Sequence, residues 1–101
     1  MKAFDLLLCG ALAVSALTPL SIAPAEAAPA SVKRDECRNF FDGRYARERS
    51  PKSFAVSADG QRCGAAWGQL SKDISRKQAL GYCAAQVKKH GGGKCKVIDT
   101  K

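Results

Sequence analysis

Histidine and closely spaced cysteines are scarce in this chain of 101 residues. His90 is the only histidine, and none of the five cysteines stands in a C-x-x-C pair. Zinc sites are built from closely spaced cysteines and histidines, and thioredoxin-like redox sites need C-x-x-C at the start of a helix. A histidine acting as a general base needs a nucleophile or a metal as its partner, and the sequence pattern places neither beside His90. We therefore predict a protein without a metal, a cofactor or a catalytic site.

Acidic residues are also few in comparison with basic ones. Nine aspartates and glutamates stand against 17 lysines and arginines, so the net charge is +8 at pH 7. A surface of this kind draws anionic partners by long-range attraction, although the same charge can also serve solubility alone. The basic residues crowd two regions: Lys33, Arg34, Arg38, Arg44, Arg47, Arg49 and Lys52, then Lys88, Lys89, Lys94, Lys96 and Lys101. The candidate anion-binding residues are Arg44, Arg47, Arg49, Lys88 and Lys89.

No apolar run is long enough to cross a membrane. Residues 6–17, LLLCGALAVSAL, fall short of the ~20 apolar residues that a spanning helix needs. Lys2 precedes the run and Ala25-Glu26-Ala27 follows it, which is the order of a secretory signal peptide cleaved after Ala27. We predict that residues 1–27 are removed together with Cys9, and that the protein is exported to the periplasm or the outside of a Gram-negative bacterium. Cleavage takes away one lysine and two carboxylates, so the net charge becomes +9.

The first part of the mature chain predicts a tail, a helical segment and a hairpin. Residues 28–32 read as a loose tail, and residues 33–49 as a short amphipathic helix that Ser50-Pro51 ends, because proline cannot continue a helix. Strands are predicted over 53–58 and 62–67, since Asp59-Gly60 between them is a strong hairpin signal.

The second part predicts one long helix and a last strand. The helix spans 72–90, with Ser71 as its N-cap and Gly91 at its end. The strand spans 94–99, because Cys95 and Val97 alternate with Lys96 and Ile98. The buried stripe of the helix is predicted at Ile74, Leu80, Cys83, Ala84 and Val87.

These elements define an α+β fold with a small three-stranded antiparallel or mixed sheet in ββαβ order. A right-handed crossover returns the third strand parallel to the second, and we place it beside the first, which gives the sheet order 2-1-3 with the main helix on one face. The expected organisation is a signal peptide (1–27), an N-terminal tail and helical segment (28–52) and a disulfide-stapled ββαβ domain (53–101).

Four cysteines remain in the mature chain, an even number that indicates two disulfides with three possible pairings. Cys83 lies near the end of the predicted helix and Cys95 near the start of the next strand, which favours a bond between them. The remaining pair, Cys37 and Cys63, then ties the N-terminal segment to the hairpin.

Trp67 has two interpretations. An exposed tryptophan is a candidate stacking platform for sugars or bases. The alternation of Cys63, Ala65 and Trp67 against the bare face of Gly64 and Ala66 instead places it under the N-terminal segment, as an aromatic between two segments.

The runs FAVSADGQRCGAAWGQLS, QALGYCAAQV and GGKCKVID resemble a family of small exported bacterial domains of unknown function. The resemblance covers residues 53–99 and transfers no catalytic residue, because the shared positions are structural. Members of the family carry labels such as 5-aminolevulinic acid synthase or adenylate cyclase. A mature chain of 74 residues has neither a pyridoxal pocket nor the paired metal carboxylates that those reactions need.

Three functional hypotheses follow, the third being an enzyme whose catalytic residues the sequence does not reveal. The first is a small, basic, disulfide-stabilised binding module, not an enzyme, for an anionic surface such as lipid phosphate, acidic glycan or nucleic acid. The second is a protein–protein interaction or inhibitor module that acts in the periplasm or outside the cell.

Overall fold

The computed structural model describes residues 27–101. The predicted signal peptide, apart from Ala27, and Cys9 lie outside these residues. Helix α1 continues directly into a π-helical turn, and α2 spans the range predicted from the sequence. The elements are α1 (Asp35–Phe40), the π-helical turn (Phe41–Tyr45), β1 (Ser53–Ser57), β2 (Cys63–Ala66), α2 (Lys72–His90) and β3 (Cys95–Thr100).

The sheet has the order β2-β1-β3, and β1 is antiparallel to both of its neighbours. Strands β2 and β3 therefore run parallel to each other, which confirms the predicted order and the predicted direction of the third strand. Ser53 stands opposite Ala66 on one side and Thr100 on the other, so these residues mark one end of the sheet. The register of β3 shifts between Phe54 and Ala55, which leaves Ile98 as a bulge.

The N-terminal segment covers one face of the sheet and supplies the larger core. The ring of Phe54, fully buried, lies 5.0 Å from that of Phe41 and 5.3 Å from that of Tyr45. Val56 and Val32 complete this layer, and both are buried. Aromatic side chains in tilted and edge-to-face contact account for most of the apolar area that this side removes from water.

The tail predicted over residues 28–32 is wrong, because this segment packs against the core. Val32 is fully buried and Ala28 nearly so. The guanidinium of Arg38 donates to the carbonyl of Val32 at 2.8 Å and to that of Ala28 at 3.4 Å. The backbone N–H of Lys33 donates to Gly60 O at 2.9 Å, which fastens the segment to the hairpin turn. Small residues and proline indicate a linker by composition, but here backbone hydrogen bonds hold them.

The π-helical turn keeps three side chains on one face. Cys37, Phe41 and Tyr45 are spaced four apart and all are buried. In an α-helix a spacing of four rotates the side chain by about 40° at each step, so a third residue drifts away from the sheet. The wider π-helical turn reduces this drift.

The buried stripe of α2 differs in part from the prediction. Cys83 is buried as expected, but Ile74 and Ala84 are exposed, whereas Ser75 and Ala79 are fully buried. The helix therefore meets the sheet through small residues rather than through its largest apolar ones. Ser75 has its hydroxyl 2.7 Å from that of Ser53, so this polar pair is satisfied inside the contact.

The position of Gly64 explains why small residues form the contact between α2 and the sheet. A Cβ built on Gly64 would lie 2.3 Å from the backbone N of Cys83 and 2.6 Å from the carbonyl O of Ala79. The backbone of α2 therefore rests directly on β2, as the bare face of this strand predicts. Ser71 caps the helix by accepting from the N–H of Ile74 at 3.1 Å.

Both predicted disulfides are confirmed. Cys37–Cys63 joins α1 to β2, and Cys83–Cys95 joins α2 to β3, with Cα–Cα distances of 6.0 and 6.2 Å. Each disulfide thus fastens one outer strand of the sheet to a helix. Among the described residues, no helix has the length and apolar character needed to cross a bilayer.

Candidate functional site

A groove of about 500 Å³ runs along the free edge of β2. Its floor is the strand itself, whose side chains are small. One wall comes from the N-terminal side and from the end of β2, and the other from α2. The lining residues are Cys63–Ala66 on the floor, Phe40, Trp67 and Gln69 on one side, and Tyr82, Ala85 and Gln86 on the other.

A second cavity of about 290 Å³ continues this groove towards the hairpin turn. The two cavities share Phe40, Cys63 and Gln86. We call the joint feature the β2-edge groove. It follows the chain from Arg62 to Trp67, which in extended conformation is roughly 20 Å. That length suits a short extended segment better than a compact small molecule.

The floor of the groove presents unpaired backbone groups. The N–H of Ser57 donates to the carbonyl of Arg62 at 2.9 Å, so this pair is hydrogen-bonded across the hairpin. Hydrogen-bonded and non-hydrogen-bonded pairs alternate in an antiparallel ladder. Gly64 therefore turns its backbone groups towards β1, and Cys63 and Ala65 turn theirs into the groove. Within residues 27–101, no side chain and no backbone group outside the sheet pairs with the N–H or C=O groups of Cys63 and Ala65.

Trp67 forms the aromatic end of the groove. It is half-buried, its ring lies edge-on to Phe40 at 6.0 Å, and the guanidinium of Arg44 sits 4.9 Å from the ring centroid. The structure therefore places Trp67 between the N-terminal segment and β2, as one of the two interpretations predicts. Its role as a stacking platform stays a prediction.

The candidate arginines lie at this same end of the sheet. Arg44 pairs with Glu48 at 2.9 Å, while Arg47 and Arg49 are exposed and have no ion-pair partner within residues 27–101. The carbonyl of Arg49 accepts from the N–H of Gly68 at 2.8 Å, which locates this residue beyond the end of β2.

The candidate lysines lie at the opposite end. Lys88 and Lys89 occupy the last turn of α2 and are exposed. The Cys83–Cys95 bond brings this part of the helix to the start of β3, opposite Ser57. The five candidate anion-binding residues therefore form two separate groups rather than one surface.

Two basic residues of the N-terminal crowd hold the fold instead of facing solvent. Lys52 is 6% exposed, and its ammonium donates to the carbonyls of Tyr45 at 2.8 Å and Ala46 at 3.2 Å. This places a cation at the end of the N-terminal helical segment, where the helix dipole favours it. Arg38 likewise donates to backbone carbonyls of the segment before α1.

Asp59 organises the hairpin turn beside the second cavity. Its Oδ1 accepts from the N–H of Gln61 at 2.9 Å and from the hydroxyl of Ser57 at 2.7 Å. The hydrogen bond from the N–H of Gln61 has the largest effect and that from the Ser57 hydroxyl the second largest. Together they lower the pKa of the Asp59 carboxyl below its usual value. The turn residue Gly60 has φ of 77°, which suits glycine.

Sequence reasoning missed Arg34 and Arg62, which line the hairpin end of the groove. Arg34 pairs with Glu36 at 2.7 Å, and Arg62 is half-buried. The signal that could have found this site is the run Gly64-Ala65-Ala66. Such small residues leave room above a strand edge as well as on its face.

The histidine and the acidic residues of the described chain form no metal cluster. No group of three His, Cys, Asp or Glu side chains in residues 27–101 is arranged to hold a metal ion. His90 is exposed at the end of α2, beside Gly91. The groups that line the groove are backbone amides, aromatic rings and guanidinium groups.

Comparisons with protein-family models, curated proteins and solved structures gave no match for this chain. The resemblance to small exported bacterial domains therefore stays a hypothesis based on its motifs.

Proposed function

We propose that the protein is a non-enzymatic, disulfide-stabilised module that binds an anionic partner in the periplasm or outside the cell. The observation that carries the proposal is the number of exposed cations without a carboxylate partner. Within residues 27–101 these are Lys33, Arg47, Arg49, Lys72, Lys77, Lys88, Lys89, Lys94 and Lys96.

The charge is more than solubility requires of so small a domain. A net charge of magnitude about 2–8 suffices for colloidal stability, whereas the chain from residue 28 onwards carries +9. The fold does not need these exposed side chains, since its own charged contacts use Arg38 and Lys52 internally. The two disulfides support the exported location in this proposal, because disulfides persist in an oxidising environment.

The test is a salt titration of binding to two anionic probes, polyglutamate and phosphatidylglycerol vesicles. Exposed charges are screened beyond about 8 Å at physiological ionic strength, so affinity should fall steeply as salt rises. Three matched double variants each remove two exposed cations: Arg47→Gln with Arg49→Gln, Lys88→Gln with Lys89→Gln, and Lys72→Gln with Lys77→Gln.

The pair of probes separates carboxylate from lipid phosphate as the chemistry preferred. The three variants locate the contact, because the group that the partner touches should weaken binding most. Affinity that stays constant from low to high salt, or absence of binding to both probes, would contradict the proposal.

A further inference from the structure

We infer that the anionic partner is a polypeptide, and that an extended acidic segment of it binds the β2-edge groove as a fourth strand of the sheet. This inference rests on the proposed function and narrows it to one class of partner and one surface. Strand addition of this kind gains affinity from main-chain hydrogen bonds and specificity from pockets that take alternate side chains.

The first argument is the unpaired backbone of β2. The N–H and C=O groups of Cys63 and Ala65 point into the groove, and Ala65 is only 8% exposed. Backbone polar groups near the interior carry a free-energy cost unless they are hydrogen-bonded. An incoming strand would satisfy them with the same alternation that β1 uses on the other side.

The second argument is that strand β2 lacks most of the features that protect a sheet edge. Natural sheets guard free edges with lysine, proline, bulges or very short strands. The strand β2, CGAA, has only four residues, but it contains no charged residue and no proline. The opposite edge strand, β3, contains Lys96, Asp99 and a bulge at Ile98. Edge β3 is thus guarded by charge and a bulge, whereas β2 is guarded by its shortness alone.

The third argument is the shape of the walls. An added strand directs successive side chains to opposite faces of the sheet. One set would meet Phe40 and Trp67, an aromatic wall suited to apolar or β-branched side chains. The other set would meet Tyr82, Ala85 and Gln86, which present a mixed wall on α2.

The fourth argument is charge, which selects an acidic partner over a second copy of this chain. Arg34 and Arg62 line one end of the groove, and Arg44, which pairs with Glu48, covers Trp67 at the other. Arg62 has no salt-bridge partner within residues 27–101. Glu36 is the one acidic residue in the lining, and it pairs with Arg34. Two copies of the chain, each at +9 from residue 28 onwards, would repel each other across a shared edge.

The experiment uses the mature protein and a capped octapeptide probe, Asp-Glu-Val-Thr-Val-Thr-Glu-Asp. Its valines would face the aromatic wall, its threonines the α2 wall, and its acidic ends the arginines. Affinity is measured by titration calorimetry for the wild type, Ala85→Glu and Ala84→Glu. Both alanines are exposed on α2, and both variants change the net charge equally. Only Ala85 lines the groove, so only Ala85→Glu places the new carboxylate there.

We expect Ala85→Glu to weaken peptide binding by about tenfold or more, since it places a like charge and a longer side chain in the path of the strand. Ala84→Glu should weaken it by no more than about twofold, through net charge alone. Equal losses in the two variants would overturn strand addition.

A second measurement tests the backbone contact without changing the protein. Two peptide isomers carry N-methyl groups on alternate amides, one on the valines and one on the threonines. Only one of these sets can donate to β2, so one isomer should lose binding and the other keep it. Equal binding of both isomers would overturn the inference.

Two further results would separate this inference from the proposed function. Salt-sensitive binding to vesicles without binding to the peptide would keep the anionic partner and overturn the polypeptide. Self-association of the protein alone through β2, seen by sedimentation and abolished by Ala85→Glu, would assign the groove to a second copy and overturn the acidic partner.

Discussion

The two edges of the sheet differ in composition although both are held by a disulfide. Strand β2 is fastened to α1 by Cys37–Cys63 and contains only small side chains, while β3 is fastened to α2 by Cys83–Cys95 and contains Lys96, Asp99 and a bulge. Both strands leave backbone groups free, but β3 has charged residues and a bulge that discourage pairing, whereas β2 is protected only by its shortness. The difference shows that disulfides can fasten both edge strands of a small sheet to helices and still leave one edge open for pairing with another strand.

The largest expected effect compares the two disulfides. Replacing Cys37 and Cys63 by alanine should lower the free energy of unfolding by about 3.5 kcal/mol, and replacing Cys83 and Cys95 by about 3 kcal/mol, because the chain-entropy term grows with loop length. The sequence separations are 26 and 12. Urea unfolding measures both.

The same pair of variants sharpens the comparison of the edges. Loss of Cys37–Cys63 frees α1 from β2 and should also weaken binding to the acidic octapeptide, since Phe40 belongs to the wall of the groove. Loss of Cys83–Cys95 should weaken that binding less, because the backbone of α2 still packs on Gly64 and keeps the second wall of the groove in place. The opposite order of effects on binding would place the site at the β3 edge.

The next effect concerns the contact between β2 and α2. Gly64→Ala should lower the free energy of unfolding by about 2–3 kcal/mol, because the added methyl group meets helix backbone that cannot move aside. Gly81→Ala is the control, since a Cβ at that position has no atom within 4 Å. It should raise stability by about 0.5–1 kcal/mol through helix propensity. A neutral Gly64→Ala would mean that α2 does not rest on β2.

A smaller effect tests the anchoring of the β3 edge to the N-terminal segment. The hydroxyl of Tyr45 donates to Asp99 Oδ2 at 2.7 Å. Tyr45→Phe should lower the free energy of unfolding by about 1.5 kcal/mol, the range of a hydrogen bond to a charged acceptor. Tyr82→Phe is the matched control, because Tyr82 is 55% exposed. Equal effects in thermal or urea unfolding would show that the Tyr45 hydroxyl contributes nothing.

The smallest effect is the pH dependence of the hairpin that joins β1 to β2. The folded-state pKa of Asp59 is lowered by the hydrogen bonds from Gln61 and Ser57. Its contribution to stability is therefore present above the unfolded-state pKa of about 3.9 and is lost as the pH falls towards the folded-state value. Asp59→Asn should flatten the decline of stability below about pH 4. An unchanged acid limb of the stability profile would rule out this role.

Most of the fold could be predicted from the sequence, because its signals are local or forced. Asp59-Gly60 marks the hairpin, Ser71 and Gly91 bound α2, and the crossover rule sets the direction of the third strand, parallel to the second. Four cysteines in a short chain indicate two disulfides, and the positions of Cys83 near the end of α2 and Cys95 near the start of β3 favoured one of the three possible pairings.

The remaining features depend on distances that the sequence does not contain. Ile74 is the larger apolar residue, yet Ser75 is buried, because Gly64 lets the helix backbone approach and leaves no room for a bulky side chain. Val32 is buried because Arg38 folds back on its carbonyl. The same holds for the candidate anion-binding residues. Arg47 and Lys88 each belong to a basic cluster in the sequence, but the fold places them at opposite ends of the sheet.

The measurement that tests the central claim most directly is residue-resolved amide hydrogen exchange, followed by NMR with and without the acidic octapeptide. By the register of the sheet, the amides of Cys63 and Ala65 face outwards on β2, and those of Cys95 and Val97 face outwards on β3. The account predicts that the peptide slows exchange at Cys63 and Ala65 and leaves Cys95 and Val97 unchanged. Protection at β3 alone, or peptide binding with no protection at β2, would contradict it.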